Sequence, residues 1–127
     1  RVTNLEKTNA RYLTADLLPY PKYERVVMDL SFISLKTVLP AVWPFLAEDG
    51  VLVALVKPQF EVGKEIADKF RGVIRDEKAR AAALDGVKRF ALETLPGAGY
   101  VGERESPIKG GDGNVEFLLG LKKAAPL

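Results

Sequence analysis

Residues 51–61, VLVALVKPQFE, decide the fold of this chain. An uninterrupted apolar run follows Asp49-Gly50 and ends at Lys57 and Pro58. Such a run is typical of a strand that is buried on both faces, as in a parallel sheet covered by helices. Because proline has no N–H for the ladder, strand pairing should end at Pro58. Lys57 is therefore expected at the C-terminal end of a central strand, where open α/β sheets bind their ligands.

The composition excludes several kinds of chemistry. The 127 residues suit one domain, and 47% hydrophobic with 28% charged residues is ordinary for a globular protein. The net charge of +2, from 19 basic and 17 acidic residues, gives no signal for nucleic acid. Without cysteine or histidine there is no thiol or imidazole chemistry, and we predict no metal site. No apolar run approaches the roughly 20 residues of a membrane span, so the cytoplasm is the expected compartment.

The patterns on either side of this run predict an α/β sheet with a terminal hairpin. A helix over residues 35–46 should begin at Ser34, be interrupted by two prolines and end at Asp49-Gly50. A second helix over residues 77–95 should be capped by Asp76, and residues 62–71 read as a mobile loop. The predicted strands cover residues 2–6, 25–30, 51–57, 100–105 and 115–121.

Three charged side chains lie at predicted strand ends. Asp29 and Lys57 end two neighbouring strands, and Glu116 lies near the start of a strand that should run antiparallel to them. We expect the three to converge at one edge of the sheet. One interpretation is a lysine that orients or deprotonates a hydroxyl while the acids position it. The other is a structural salt bridge that closes the sheet, which is the more frequent arrangement on spacing alone.

Other features also have two interpretations each. Arg75-Asp76 either contacts a phosphate or begins a helix. Trp43 and Phe45 are either core residues, the more common case, or a surface for base stacking. A glycine-rich run forms either an anion-binding nest or, more often, a plain hairpin loop: Gly110, Gly111 and Gly113.

Five blocks of sequence together resemble a known family, the C-terminal methyltransferase domain of haemolysin-A/TlyA-type ribosomal RNA 2′-O-methyltransferases, which are relatives of the FtsJ/RrmJ group. Any one block alone would be weak, but together they span nearly the whole chain in the family's order. The implied fold is a Rossmann-like S-adenosylmethionine methyltransferase sheet with strand order 3-2-1-4-5-7-6 and a reversed terminal hairpin. The blocks are EKTNAR (6–11), DLSFISL (29–35), ALVKPQFE (54–61), GVIRD (72–76) and SPIKGGDGNVEFLL (106–119).

The resemblance implies roles for individual residues. Asp29, Lys57 and Glu116 match the last three members of the family's Lys-Asp-Lys-Glu catalytic set. Lys57 would activate a ribose 2′-hydroxyl of ribosomal RNA, the acids would orient it, and its oxygen would attack the methyl group of S-adenosylmethionine without a metal. Glu6 and Asn9 fall where contacts to the cofactor's ribose and adenine are expected, and Asp29 is a further candidate for cofactor binding.

Parts of the family pattern have no counterpart in this chain: the first lysine, the glycine-rich cofactor loop, the first two strands and a small N-terminal RNA-binding domain. The chain is thus expected to be the C-terminal part of a longer methyltransferase and to be inactive alone. Residues 25–30 would then form an exposed edge strand, which should pair with a second copy or with residues 2–6. The alternative function is a non-catalytic α/β interaction module, or a haemolysin-like protein, that keeps this fold.

Overall fold

Four strands and four α-helices lie in the part of the chain that the computed structural model describes, which is residue 16 and residues 18–69, 71–110 and 113–124. A 3₁₀ turn, Trp43–Phe45, lies between the first helix and the second strand. The elements are β1 (Tyr23–Met28), α1 (Leu35–Val42), β2 (Leu46–Val56), α2 (Pro58–Glu61), α3 (Lys64–Lys69), α4 (Glu77–Thr94), β3 (Ala98–Glu105) and β4 (Phe117–Lys123).

The strands form one mixed sheet in the order β1-β2-β4-β3. Strands β1 and β2 are parallel, whereas β4 is antiparallel to both β2 and β3. The predicted α/β fold with a C-terminal antiparallel hairpin is therefore confirmed, and the order corresponds to the 4-5-7-6 portion of the implied sheet. The strand predicted at residues 2–6 lies outside the described residues.

The core lies between the sheet and the helices α1 and α4. Alternate β2 residues Leu52, Ala54 and Val56 have no exposed surface and belong to one apolar cluster with side chains of both helices. Trp43 is 2% exposed, and its indole N–H donates to the carbonyl oxygen of Pro96 at 2.8 Å. Trp43 is thus a core residue, as the more common interpretation predicted.

Two predicted helix starts are confirmed. The Ser34 hydroxyl accepts from the Lys36 backbone N–H at 3.1 Å, and the Asp76 carboxylate accepts from the Lys78 N–H at 2.9 Å. Each side chain satisfies one of the backbone donors that the first turn of a helix leaves unpaired. Asp76 is therefore the cap of α4.

The predicted end of the first helix was wrong. Helix α1 ends at Val42 and β2 already begins at Leu46, so Asp49 and Gly50 lie inside the strand. Asp49 has a positive φ of 62°, and a Cβ on Gly50 would lie 2.6 Å from the carbonyl oxygen of Ala47. These two residues form a bulge, where the register of β1 against β2 shifts.

The loop predicted over residues 62–71 contains a helix, α3, so this prediction was also wrong in part. Glu65 lies in its first turn and Lys69 in its last turn. Both charges complement the helix dipole, which favours acidic residues near the N-terminus and basic residues near the C-terminus. Weak apolar periodicity concealed this short helix.

The second face of the sheet is less well covered than the first. Val51, Val53 and Leu55 are only half-buried, and Val27 in β1 is 79% exposed. Within the described ranges, β1 pairs with β2 and is the edge of the sheet. None of the described helices is long and apolar enough to cross a membrane.

Candidate active site

Three strand ends place the predicted catalytic residues around one cavity. Asp29 follows β1, Lys57 follows β2 and Glu116 precedes β4. Because β4 is antiparallel to β2, its beginning lies at the edge where the parallel strands end. All three side chains line a cavity of about 800 Å³.

Lys57 is held by two partners. Its Nζ forms an ion pair with Oδ1 of Asp29 at 2.6 Å and donates to the hydroxyl of Ser31 at 3.1 Å. The Lys57 side chain is 12% exposed, whereas that of Asp29 is 67% exposed. An ammonium group has three donors, so the described partners leave one N–H of Lys57 for a ligand in the cavity.

Glu116 has a different partner. It is 5% exposed, and its Oε2 accepts from Nε2 of Gln59 at 3.0 Å. The sequence predicted a lysine flanked by two carboxylates, but among the described side chains no ion pair joins Lys57 to Glu116. The cavity therefore holds a paired carboxylate, Asp29, and one bound by an amide, Glu116.

Gly110 is required where it stands, because the Glu116 carboxylate packs against its Cα. A Cβ on Gly110 would lie 2.5 Å from Cδ of Glu116. The N–H groups of Gly110 and Gly113 donate within the loop, to the carbonyl oxygens of Asn114 and Gly110 at 2.9 and 3.1 Å. These two donors thus serve a hairpin loop rather than an anion nest, while Gly111 lies outside the described residues.

Asn114 anchors the loop that leads to Glu116. Its side chain is buried, with Oδ1 accepting from the Ile74 N–H at 2.9 Å and Nδ2 donating to the Gly72 carbonyl at 2.8 Å. A buried amide that bonds through both ends fixes its surroundings, because either end left unpaired would cost free energy. The segment before α4 and the loop before β4 are therefore locked together.

Glu61 ties α2 to the start of α1. Its carboxylate accepts from the Ser34 hydroxyl at 2.6 Å and from the Leu35 N–H at 2.8 Å. Burial raises the pKa of Glu61, and the bonds from Ser34 and Leu35 and the charge of Lys36 oppose this rise only in part. Because folding raises the pKa of Glu61, its protonation stabilises the folded state. This stabilisation is complete at a pH below the pKa of Glu61 in the unfolded chain. It is lost as the pH rises through the pKa of Glu61 in the folded chain.

Phe32 has an unusual conformation at the rim of the cavity. Its φ is 65°, and its side chain is 89% exposed. Its ring lies 5.0 Å from that of Phe60, centroid to centroid, and both rings line the cavity. A bulky residue in the left-handed region is strained, and such strain concentrates at functional sites.

Sequence reasoning missed three residues that line the cavity and one, Glu61, that ties α2 to α1. Each lies within a block that carried the resemblance, but only their contacts reveal them: Ser31, Phe32, Gln59 and Glu61. Glu6 and Asn9, the predicted cofactor contacts, lie outside the described residues. In the described ranges, no group of acidic residues is arranged to hold a metal ion.

A model of the FtsJ-like methyltransferase family matches residues 1–123. The chain belongs to the FtsJ-like methyltransferase family. The resemblance that its sequence blocks indicated is thereby confirmed. This FtsJ-like chain is 47% identical over 122 residues to the 16S/23S rRNA (cytidine-2′-O)-methyltransferase TlyA of Mycobacterium tuberculosis, covering 96% of the chain and 44% of TlyA. It spans less than half the length of that relative.

Two solved structures have folds similar to that of this chain. The FtsJ-like chain is similar to a putative hemolysin from Lactococcus lactis, with a TM-score of 0.85, 38% identity, and coverage of 94% of this chain and 55% of the other. It also matches the N-methyltransferase NodS from Bradyrhizobium japonicum, solved with S-adenosyl-L-homocysteine, at a TM-score of 0.56 and 13% identity, covering 93% and 53%. The NodS likeness shows the shared Rossmann-like fold alone.

Proposed function

We propose that the protein methylates a ribose 2′-hydroxyl in ribosomal RNA with S-adenosylmethionine, and that Asp29, Lys57 and Glu116 are catalytic. The observation that carries this proposal is the Lys57–Asp29 ion pair, which shares one cavity with Glu116 in a chain of a methyltransferase family. The name of the relative TlyA supports the substrate and the position methylated. A ribosomal target fits the expected cytoplasmic location.

The residues around the cavity suit the cofactor. The carboxylates of Asp29 and Glu116 line it and would attract the positive sulfonium of S-adenosylmethionine. When bound, the cofactor supplies an electrophilic methyl group. We propose that Asp29 belongs to its binding site together with Glu6 and Asn9, which are assigned by sequence position alone.

Lys57 would hold the reacting hydroxyl. The N–H of Lys57 that neither Asp29 nor Ser31 uses would donate to the 2′-oxygen, and Glu116 would orient the hydroxyl from the other wall of the cavity. As the 2′-oxygen bonds to the methyl group and the methyl–sulfur bond breaks, the hydroxyl proton would pass to Glu116. Holding both reactants in line accelerates a displacement by removing the cost of bringing them together. Positioning by this chain's own side chains would thus carry much of the catalysis.

The proposal is tested with the protein expressed from its complete gene. Incubation with methyl-labelled S-adenosylmethionine and ribosomal subunits, followed by digestion to nucleosides, should yield labelled 2′-O-methylnucleoside. Label on a base, or no transfer to any ribosomal RNA, would overturn the proposal. The second outcome would leave the non-catalytic interaction module or the haemolysin-like protein as the better interpretation.

Phe32 is the residue that we propose for contact with the RNA base. An exposed aromatic ring supported by Phe60 at the mouth of the cavity provides a surface on which an unstacked base can lie. Phe32→Ala is expected to raise the KM for RNA about 10-fold or more, because stacking on an aromatic ring is worth roughly 1–3 kcal/mol per base. The KM for S-adenosylmethionine should stay unchanged.

The matched control for Phe32 is Val101→Ala. Val101 is also an exposed apolar residue, 56% exposed, but it lies in β3 and does not line the cavity. The control should leave both KM values unchanged. An unaltered KM for RNA in Phe32→Ala would remove this residue from substrate binding.

We also propose that the 127-residue chain forms a homodimer through the edge of β1. Among the described strands β1 is the edge of the sheet, and such an edge offers backbone groups to a second strand, with the exposed apolar side chain of Val27 beside them. Light scattering should give the mass of a dimer, and Val27→Lys should shift it to a monomer because charged side chains disfavour edge pairing. A monomeric wild-type chain would contradict the proposal.

A further inference from the structure

Gln59 joins two walls of the cavity that are far apart in sequence. It is the second residue of α2, which begins directly after Lys57. Its Nε2 donates to Oε2 of Glu116, 57 positions further along the chain, at 3.0 Å. The end of β2 and the beginning of β4 are thus connected by an amide at the level of the reacting groups.

The other end of this amide has no partner. Oε1 of Gln59 is buried and accepts no hydrogen bond from the described part of the chain. A buried carbonyl without a donor costs free energy, so an apolar side chain of the same length would serve packing better. The role of the amide at this position is therefore the hydrogen bond that its N–H group donates to Glu116.

The two oxygens of Glu116 are held differently. Oε2 accepts from Gln59 and is the carboxylate oxygen nearest to where a Cβ on Gly110 would lie, so it is enclosed on two sides. Oε1 accepts no hydrogen bond from the described residues, and the Glu116 side chain lines the cavity. One oxygen is thus fixed to the protein, and the other is left for a ligand in the cavity.

We infer that Gln59 is a positioning residue, which holds Oε2 of Glu116 so that Oε1 accepts the hydrogen bond of the reacting hydroxyl. This role rests on the proposed function. Without the amide, the carboxylate would rotate within the space beside Gly110 and lose its alignment. A misplacement of about 1 Å is enough to cost on the order of 10²-fold in rate.

The test compares Gln59→Met with wild type in the protein expressed from its complete gene. Methionine keeps the length of the side chain and removes the amide. The kcat of methyl transfer is expected to fall about 10–100-fold, with the KM values for S-adenosylmethionine and RNA within about 2-fold of wild type. The resistance to urea should fall, because the buried Oε2 of Glu116 loses its donor, and removal of the unpartnered Gln59 carbonyl offsets this loss only in part.

Glu116→Gln provides the matched background. If Gln59 acts through Glu116, adding Gln59→Met to Glu116→Gln should lower kcat less than about 2-fold further, because coupled residues are not additive. Gln59→Leu, which also removes the donor and adds no charge beside Glu116, should lose kcat as Gln59→Met does. It serves as the second variant if the methionine variant does not fold.

The possible outcomes separate the positioning role of Gln59 from the proposed function. A fully active Gln59→Met overturns the positioning role alone, as does an equal loss of kcat with and without Glu116→Gln. A wild-type protein that transfers no methyl group overturns the proposed function and this role together. A loss of kcat that Gln59→Met causes in the wild-type background but not in the Glu116→Gln background supports the positioning role.

Discussion

Replacing Lys57 with alanine is expected to lower methyl transfer by about 10³-fold, within the range that positioned proton-transfer and hydrogen-bonding groups contribute. Folding should survive, because the partner left behind, Asp29, is 67% exposed and stays hydrated. We expect a stability loss of about 1 kcal/mol, because only the lysine of this pair is largely buried while its carboxylate stays in water. The measurements are kcat in the protein expressed from its complete gene and urea unfolding.

Lys88→Ala is the matched control for this change. Lys88 also pairs with an acid, Glu103, at 3.3 Å, and its Nζ lies 4.0 Å from the centre of the Tyr100 ring, away from the cavity. Its removal should cost a similar amount of stability and no activity. If Lys57→Ala were folded and as active as this control, Lys57 would have no part in the reaction.

Gly110→Ala is expected to reduce activity about 100-fold although it adds a single methyl group. The new Cβ would stand 2.5 Å from Cδ of Glu116, a distance at which one of the two groups must move. Movement of the loop is restrained by Asn114, so the carboxylate should be displaced. A shift of about 1 Å in a catalytic group costs on the order of 10²-fold. Steady-state kinetics and a crystal structure of the variant would show both effects.

The control for this substitution is Gly102→Ala in β3. A Cβ there would meet no atom within 4 Å, and the position needs no positive φ. We expect this variant to keep its activity. Full activity in Gly110→Ala would show that Glu116 need not occupy its observed position for the reaction.

The strand with Lys57 was predictable because two local signals coincide there. A continuous apolar run defines a buried strand, and Pro58 cannot extend it, so the last position before the proline is fixed. Helix α4 was predictable for a similar reason, since Asp76 supplies a cap at the start of its apolar periodicity. Signals of this kind act over one or two turns and do not depend on distant parts of the chain.

The rest depended on contacts between distant residues. Asp49-Gly50 is compatible with a turn before a strand and with a bulge inside a strand. Only the pairing of β2 with β1 decides between the turn and the bulge. The partner of Glu116 could not be deduced, because Gln59 is 57 positions away and lysine is the more obvious neighbour for a carboxylate. The conformation of Phe32 could not be predicted either, because an aromatic residue ordinarily avoids a positive φ.

The hydrogen bonds of Asn114 have a consequence for exchanging segments between related domains. They join it to Ile74 and Gly72, 40 and 42 positions earlier, so two separate sequence blocks form a single structural unit beside Glu116. A change in the backbone of one block would therefore alter the fit of the other. A chimera that takes one block from a divergent homologue should therefore fail unless it takes both.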